Sequence, residues 1–250
     1  MKKLIQLTIL LVVGICVVNA QQADPNTYLK TLVLDMQRTW PNNRTINLVF
    51  HGHSVPSGYS ATPIVNTLGA YPHLTLKNIK DKFPTAVVNV ITTSIGGEQS
   101  EQGEKRMGID VLPMKPDVLF IDYALNDRSI GLIRTEAAWR KMIEQALSYG
   151  CKLLLLTPTP DLTEDIAIDT ATLEGYAQLI RNLASEYKVG LVDSYLVFKK
   201  MKQNGTDLAG YMAQKNHPNG LGHQVVAKEI SKWFSPTCSE MNNCKTLGVQ

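Results

Sequence analysis

Asp117-Val118-Leu119-Phe120-Ile121-Asp122-Tyr123 is a short apolar run, Lys152-Leu153-Leu154-Leu155-Leu156-Thr157 is another, and Glu136 to Ser148 between them repeats its apolar residues with helical period. Runs of this length, rich in Val, Ile and Leu and separated by a helix, read as parallel strands buried on both faces. Working outward, Ile46 to Phe50 and Ala86 to Ile91 precede the pair and Gly190 to Asp193 follows it. Ala70 to Phe83, Thr172 to Tyr187 and Leu221 to Trp233 carry the helical pattern between and after them. This alternation predicts a three-layer α/β/α sandwich around a five-stranded parallel sheet, with right-handed crossovers.

The chain has 250 residues. Residues 1–20 read as a signal peptide: Lys2 and Lys3 form a basic start, Leu4 to Val18 is almost wholly apolar, and Val18-Asn19-Ala20 offers a cleavage site. Gln6 and Thr8 interrupt the run, which is short for a membrane span, and Ile15 before Cys16 disfavours a lipoprotein. Export to a secreted or periplasmic location is expected, leaving residues 21–250 as one domain with a full-sized core. The formal net charge is only +3 and the basic residues are scattered, which argues against nucleic acid and against a membrane partner after cleavage.

Cys151 opens an apolar run and reads as a core residue. Cys238 and Cys244 flank a short polar segment near the C-terminus, and in an oxidising compartment they are expected to form a disulfide that ties down the tail.

Parallel sheets of this kind bind ligands beyond the carboxyl ends of their strands. Four stretches lie there or open a helix: His51-Gly52-His53-Ser54, Ser94-Ile95-Gly96-Gly97, Ala124-Leu125-Asn126-Asp127 and Asn216-His217-Pro218-Asn219. A loop serine can simply cap a turn, a glycine pair can serve a positive φ, and an asparagine can close an Asx-turn. Together, however, they supply a hydroxyl, a close-approaching backbone N–H, an amide donor and an imidazole, which are the parts of an acyl-transfer site. Pro56 stands where a nucleophile elbow of the α/β-hydrolase kind needs its second glycine.

In order and placement the four stretches resemble the SGNH hydrolases, the GDSL esterase/lipase superfamily. The resemblance implies a flavodoxin-like sheet, Ser54 as nucleophile, His217 as base, and an oxyanion hole formed by the N–H groups of Ser54 and Gly97 with the Asn126 amide. Gly96 is the local alternative to Gly97. No cofactor is implied. His53 replaces the family's aspartate before the serine, Ala124 replaces a glycine before Asn126, and Gln214 stands where the family has an aspartate three residues before the histidine. A glutamine carbonyl can accept the Nδ1–H of His217 and hold the tautomer, but it brings no charge. Asp161 and Asp193, near strand ends, are alternative carboxylates. Asp127 beside Arg128 is expected to stiffen its loop, Asn219 to cap the last helix, and His223 to be structural within it. A zinc site from His51, His53 and His217 is set aside, because no H-x-x-x-H helix or Asp-rich ligand set accompanies them.

The expected activity is that of an exported serine esterase working through an acyl-enzyme on an acylated small molecule or glycan, with acetyl removal implied by the resemblance. Two rivals stand beside it. One is a lipolytic or thioesterase member, which needs an apolar acyl channel that the sequence does not announce. The other is a non-catalytic carbohydrate-binding relative, for which Gln214 speaks.

Overall fold

The computed structural model describes residues 22–235. The expected signal peptide, Cys16 and the expected Cys238–Cys244 pair lie outside them. In chain order the elements are α1 (Lys30–Gln37), β1 (Thr45–Gly52), α2 (Ser54–Ser57), α3 (Tyr71–Lys82), β2 (Val87–Thr92), α4 (Ser100–Arg106), β3 (Val118–Asp122) and α5 (Ala124–Asp127). There follow α6 (Leu132–Tyr149), β4 (Lys152–Leu156), α7 (Thr172–Glu186), β5 (Gly190–Val192), α8 (Ser194–Gln203), β6 (Met212–Gln214), β7 (His217–Pro218) and α9 (Gly220–Ser231).

All five sheet strands are parallel, in the order β2-β1-β3-β4-β5. Strand order reverses between β1 and β3, so the switch point opens a crevice beyond Gly52 and Asp122, which are paired in register. The two strands approach closely there. A Cβ on Gly52 would lie 2.4 Å from the Asp122 carbonyl oxygen, so only glycine fits at the turn that leads to Ser54.

Side chains alternate across the sheet. Leu48, Phe50, Val118, Phe120 and Leu154 join one core with Met36 of α1, Tyr71 and Ile79 of α3, Phe198 of α8 and Ile230 of α9. Val49, Leu119, Ile121 and Leu155 join the other with Trp139 and Ile143 of α6 and Ile180 of α7. Phe50 and Phe120 stack at a 4.0 Å centroid separation and lock β1 to β3 two residues before the crevice. Cys151 is buried and free, as its place in the run suggests. Among the described residues no helix is long and apolar enough to cross a membrane.

Two buried histidines are structural. His51 Nε2 lies 3.1 Å from the Gly103 carbonyl and Nδ1 lies 3.0 Å from Thr93 Oγ1. His223, inside α9, accepts the Tyr71 N–H at Nδ1. Burial pushes both imidazoles down to about 4, from an ordinary 6.5. The unfolded chain therefore takes up these protons near pH 6.5 and the folded one only near 4, so the fold loses stability as pH falls across that window. The loss amounts to roughly 3 kcal/mol per histidine at its acid end. The Tm should fall steadily from pH 7 to 4, and His223→Gln should flatten the slope; a Tm level across that range would contradict this account.

Candidate active site

The site is assembled at the switch point from segments far apart in sequence. β1 ends at Gly52, and α2 begins two residues later with Ser54 at its first position. His217, on the two-residue strand β7, brings Nε2 to 2.8 Å from Ser54 Oγ, across 163 positions of sequence. Pro218 follows, and Asn219 caps α9 by accepting from the N–H groups of Leu221 and Gly222. Ser54 and His217 are both almost wholly buried, and the Tyr59 ring stacks over the imidazole at 6.2 Å. Burial first, and the neighbouring His53 ring second, hold the His217 pKa below its ordinary value.

Ser57 is occupied differently. Its hydroxyl donates to the carbonyls of His53 and Ser94, tying α2 to the loop after β2. With its single proton committed to backbone oxygens, Ser57 is a fastener rather than a nucleophile.

The other expected donors lie on the same rim. Gly97 has φ of +79°, and open space surrounds the position a Cβ would take. Gly96 is different, because a Cβ there would lie 2.7 Å from the Tyr59 ring. Gly96 thus seats the tyrosine that covers His217, and Gly97 serves the turn. Asn126, in α5, donates one amide N–H to the Glu98 carbonyl at 2.9 Å, which joins the loops after β2 and β3 and leaves its second N–H. Beneath them Glu98 binds Arg106 Nε at 2.8 Å and the Tyr123 hydroxyl at 2.7 Å, so a buried, paired charge braces the Gly97 turn.

Several expectations need correction. Gln214 does meet His217, at 2.5 Å from Nδ1, but through its amide nitrogen. Its carbonyl oxygen is taken by the N–H and hydroxyl of Thr62, each at 3.3 Å. A backbone N–H can only donate, so it fixes which end of the amide faces the ring. Asp161 and Asp193 do not complete a triad. Asp161 is held by Arg128 and by Thr163, and Asp193 by Arg181 and Thr157 while it caps α8. Asp127 does not pair with Arg128 either; it accepts from the Ser100 N–H and from Trp139 Nε1, and so stiffens the loop by another route. Alternation along an extended segment predicts His51 and His53 on one side, but they do not share it. Because β1 ends at Gly52, His51 stays against Tyr123 while His53 turns toward Asp122, 3.4 Å away, and toward Ser54. Among the described residues no group of three His, Cys, Asp or Glu side chains could hold a metal.

Asp122 is the residue that sequence reasoning passed over. It closes the apolar run of β3 and is buried at its carboxyl end, where its Oδ2 accepts the Tyr71 hydroxyl at 2.9 Å. An acidic residue ending a fully buried strand was the available signal.

The chain matches the GDSL-like lipase/acylhydrolase family over residues 50–225. No curated protein matches it. Among solved structures it is similar to Axe2, an acetylxylan esterase from Geobacillus stearothermophilus, with 19% identity and a TM-score of 0.66 over 76% of this chain and 94% of that one. A putative GDSL-like lipase from Parabacteroides merdae is similar at 20% identity and TM-score 0.64, over 76% of this chain and 95% of the other. At this identity the likeness concerns the fold.

The Gln214 contact generates a measurable expectation. If His217 is the base it must be neutral, and its lowered pKa keeps it neutral further into acid, so the acid limb of the kcat/KM profile should then lie below about 6.5. Gln214→Asp places a carboxylate beside Nδ1, which favours the charged ring and should shift that limb upward while kcat holds or rises. An unmoved limb with unchanged kcat would show that position 214 does not govern the imidazole.

Proposed function

Because the chain belongs to the GDSL-like lipase/acylhydrolase family, a family of ester-hydrolysing enzymes, we propose that it cleaves carboxylic esters through a serine acyl-enzyme. The observation that carries this reading is the 2.8 Å contact between Ser54 Oγ and His217 Nε2. Ser54 Oγ bonds to the ester carbonyl carbon and its proton passes to one of the two imidazoles beside it. The carbonyl oxygen takes the π electrons and is held by the N–H groups of Ser54 and Gly97 and by the free N–H of the Asn126 amide. Collapse expels the alcohol, which takes the proton back, and water repeats the cycle to release the acid. The scheme uses no cofactor.

The proposed substrate is an acetylated glycan or a related acylated small molecule. Likeness in fold to an acetylxylan esterase supports it, and the basic-then-apolar opening of the sequence supports export, with cleavage near Ala20. One observation favours the lipolytic or thioesterase reading as an alternative. The loop that carries Thr62 to Gln214 also exposes Ile64 and Leu68, 59% and 77% accessible, so an apolar surface does stand near the site. A panel of acetylated oligosaccharides against acyl esters of increasing length decides between them: rates that climb with chain length would replace the acetyl-glycan assignment. A non-catalytic carbohydrate-binding relative would leave a fluorophosphonate probe unreacted.

Ser54→Ala should abolish hydrolysis and labelling, while Ser57→Ala should keep most activity, with mass spectrometry finding the adduct on Ser54. An adduct on Ser57 would overturn the assignment. Asn126→Ala should lower kcat by about 10²–10³ and change KM little, because the amide serves charge that develops only in the transition state. A raised KM at constant kcat would make Asn126 a substrate-binding residue instead.

A further inference from the structure

Ser54 Oγ lies within reach of two imidazoles, His217 Nε2 at 2.8 Å and His53 Nδ1 at 3.4 Å. Two backbone N–H groups, which can only donate, give the network its polarity. On one side the Val55 N–H points at His53 Nδ1 from 3.3 Å, so that nitrogen carries a lone pair and the ring proton sits on Nε2. His53 Nε2 is 3.4 Å from Asp122 Oδ1. Both atoms are buried and neither makes a hydrogen bond among the described residues, so two unsatisfied groups of opposite character face each other across a charge contact. On the other side the Thr62 N–H holds Gln214 Oε1, which turns the amide NH₂ toward His217 Nδ1 and puts that ring's proton on Nε2. Ser54 Oγ then receives a hydrogen bond from His217. Its own proton has His53 Nδ1 as its ring acceptor.

We propose that His53 is a second catalytic base at Ser54 and that Asp122 is its carboxylate, so that the negative charge missing beside His217 stands behind His53 instead. The proposal rests on Ser54 being the nucleophile and adds a second acceptor for its proton. As the Oγ–carbon bond forms, the Oγ proton moves to His53 Nδ1, and the resulting imidazolium is paired with Asp122 through Nε2–H. The carbonyl oxygen takes the negative charge. On collapse the carbon–oxygen bond to the alcohol breaks, the leaving oxygen keeps the electron pair, and it takes the proton from His53 Nδ1. His217 Nε2–H donates to Oγ before attack. The His217 route requires the Gln214 amide to turn and give up the Thr62 N–H; the His53 route requires only that Nδ1 release the 3.3 Å contact from the Val55 N–H as it takes the proton.

The test uses substitutions that keep shape and remove the proton site or the charge. His53→Asn retains a good acceptor at the start of α2 but cannot carry the proton. Asp122→Asn removes the charge. Each should lower kcat by about 10²-fold with KM within about threefold. The double variant should fall no further than the worse single one, since the two act as a unit. Adding Gln214→Asp to either single variant should restore at least about tenfold, because it equips His217 with a carboxylate and opens the other route. A purely structural role for His53 and Asp122 would not be rescued from that distance, so loss of kcat without rescue overturns the proposal. So does an unchanged kcat in His53→Asn. If Asp122→Asn fails to fold by its Tm, His53→Asn and its rescue carry the test alone. Fluorophosphonate labelling of the wild type separates the two readings: no adduct at Ser54 removes the serine mechanism itself, whereas an adduct with unchanged kcat in His53→Asn removes only the second base.

Discussion

The architecture of the site depends on how closely β1 and β3 run together at their carboxyl ends. Stacked Phe50 and Phe120 hold the pair in register, and Gly52 then allows the Asp122 backbone to come within a distance no side chain would permit. From that contact follow the sharp entry into α2, the position of Ser54 at its first residue, and the placement of a buried carboxylate behind His53. A methyl group at residue 52 would push the strands apart where the crevice opens.

Around this point the carboxylates of Glu98 and Asp127 and one oxygen of Asp122 are matched by donors of fixed direction. Glu98 is neutralised by Arg106 and bonded by Tyr123; Asp127 is satisfied by Ser100 and Trp139; Asp122 takes the Tyr71 hydroxyl on one oxygen. Paired in this way, such groups hold loops in place at modest cost, whereas any one of them left alone would destabilise the fold. The rim therefore presents hydroxyl, amide and imidazole groups on backbone that is braced from below.

The sheet and its flanking helices were legible because hydrophobic period and strand length are local properties. All five strands and the helices around residues 70–83, 136–148, 172–187 and 221–233 stand within a few residues of where the sequence puts them. α1 and α8 were not read, since each is short and charged on its outer face, and their apolar stripes acquire meaning only against the sheet. The pairing of Ser54 with His217 was legible from motif order. The polarity of Gln214 was not, because it is set by Thr62, far away in the chain, through a backbone N–H that no motif encodes. Asp122 was hidden for a related reason: its role comes from a strand neighbour and from His53, which a sequence shows only as a departure from a pattern.

The 163 positions between Ser54 and His217 also bear on how this molecule folds. β1 cannot be enclosed until β3 has docked, and His217 arrives only when α9 has settled against α3, an interface tied by Asn78 to Ser231 and by Lys82 to the Phe234 carbonyl. Closing a loop of that span costs more chain entropy than pairing neighbouring elements. Ser54 and His217 lie on segments that meet only through that interface and the sheet together. The Ser54–His217 contact thus depends on the seating of the C-terminal helix as much as on the sheet.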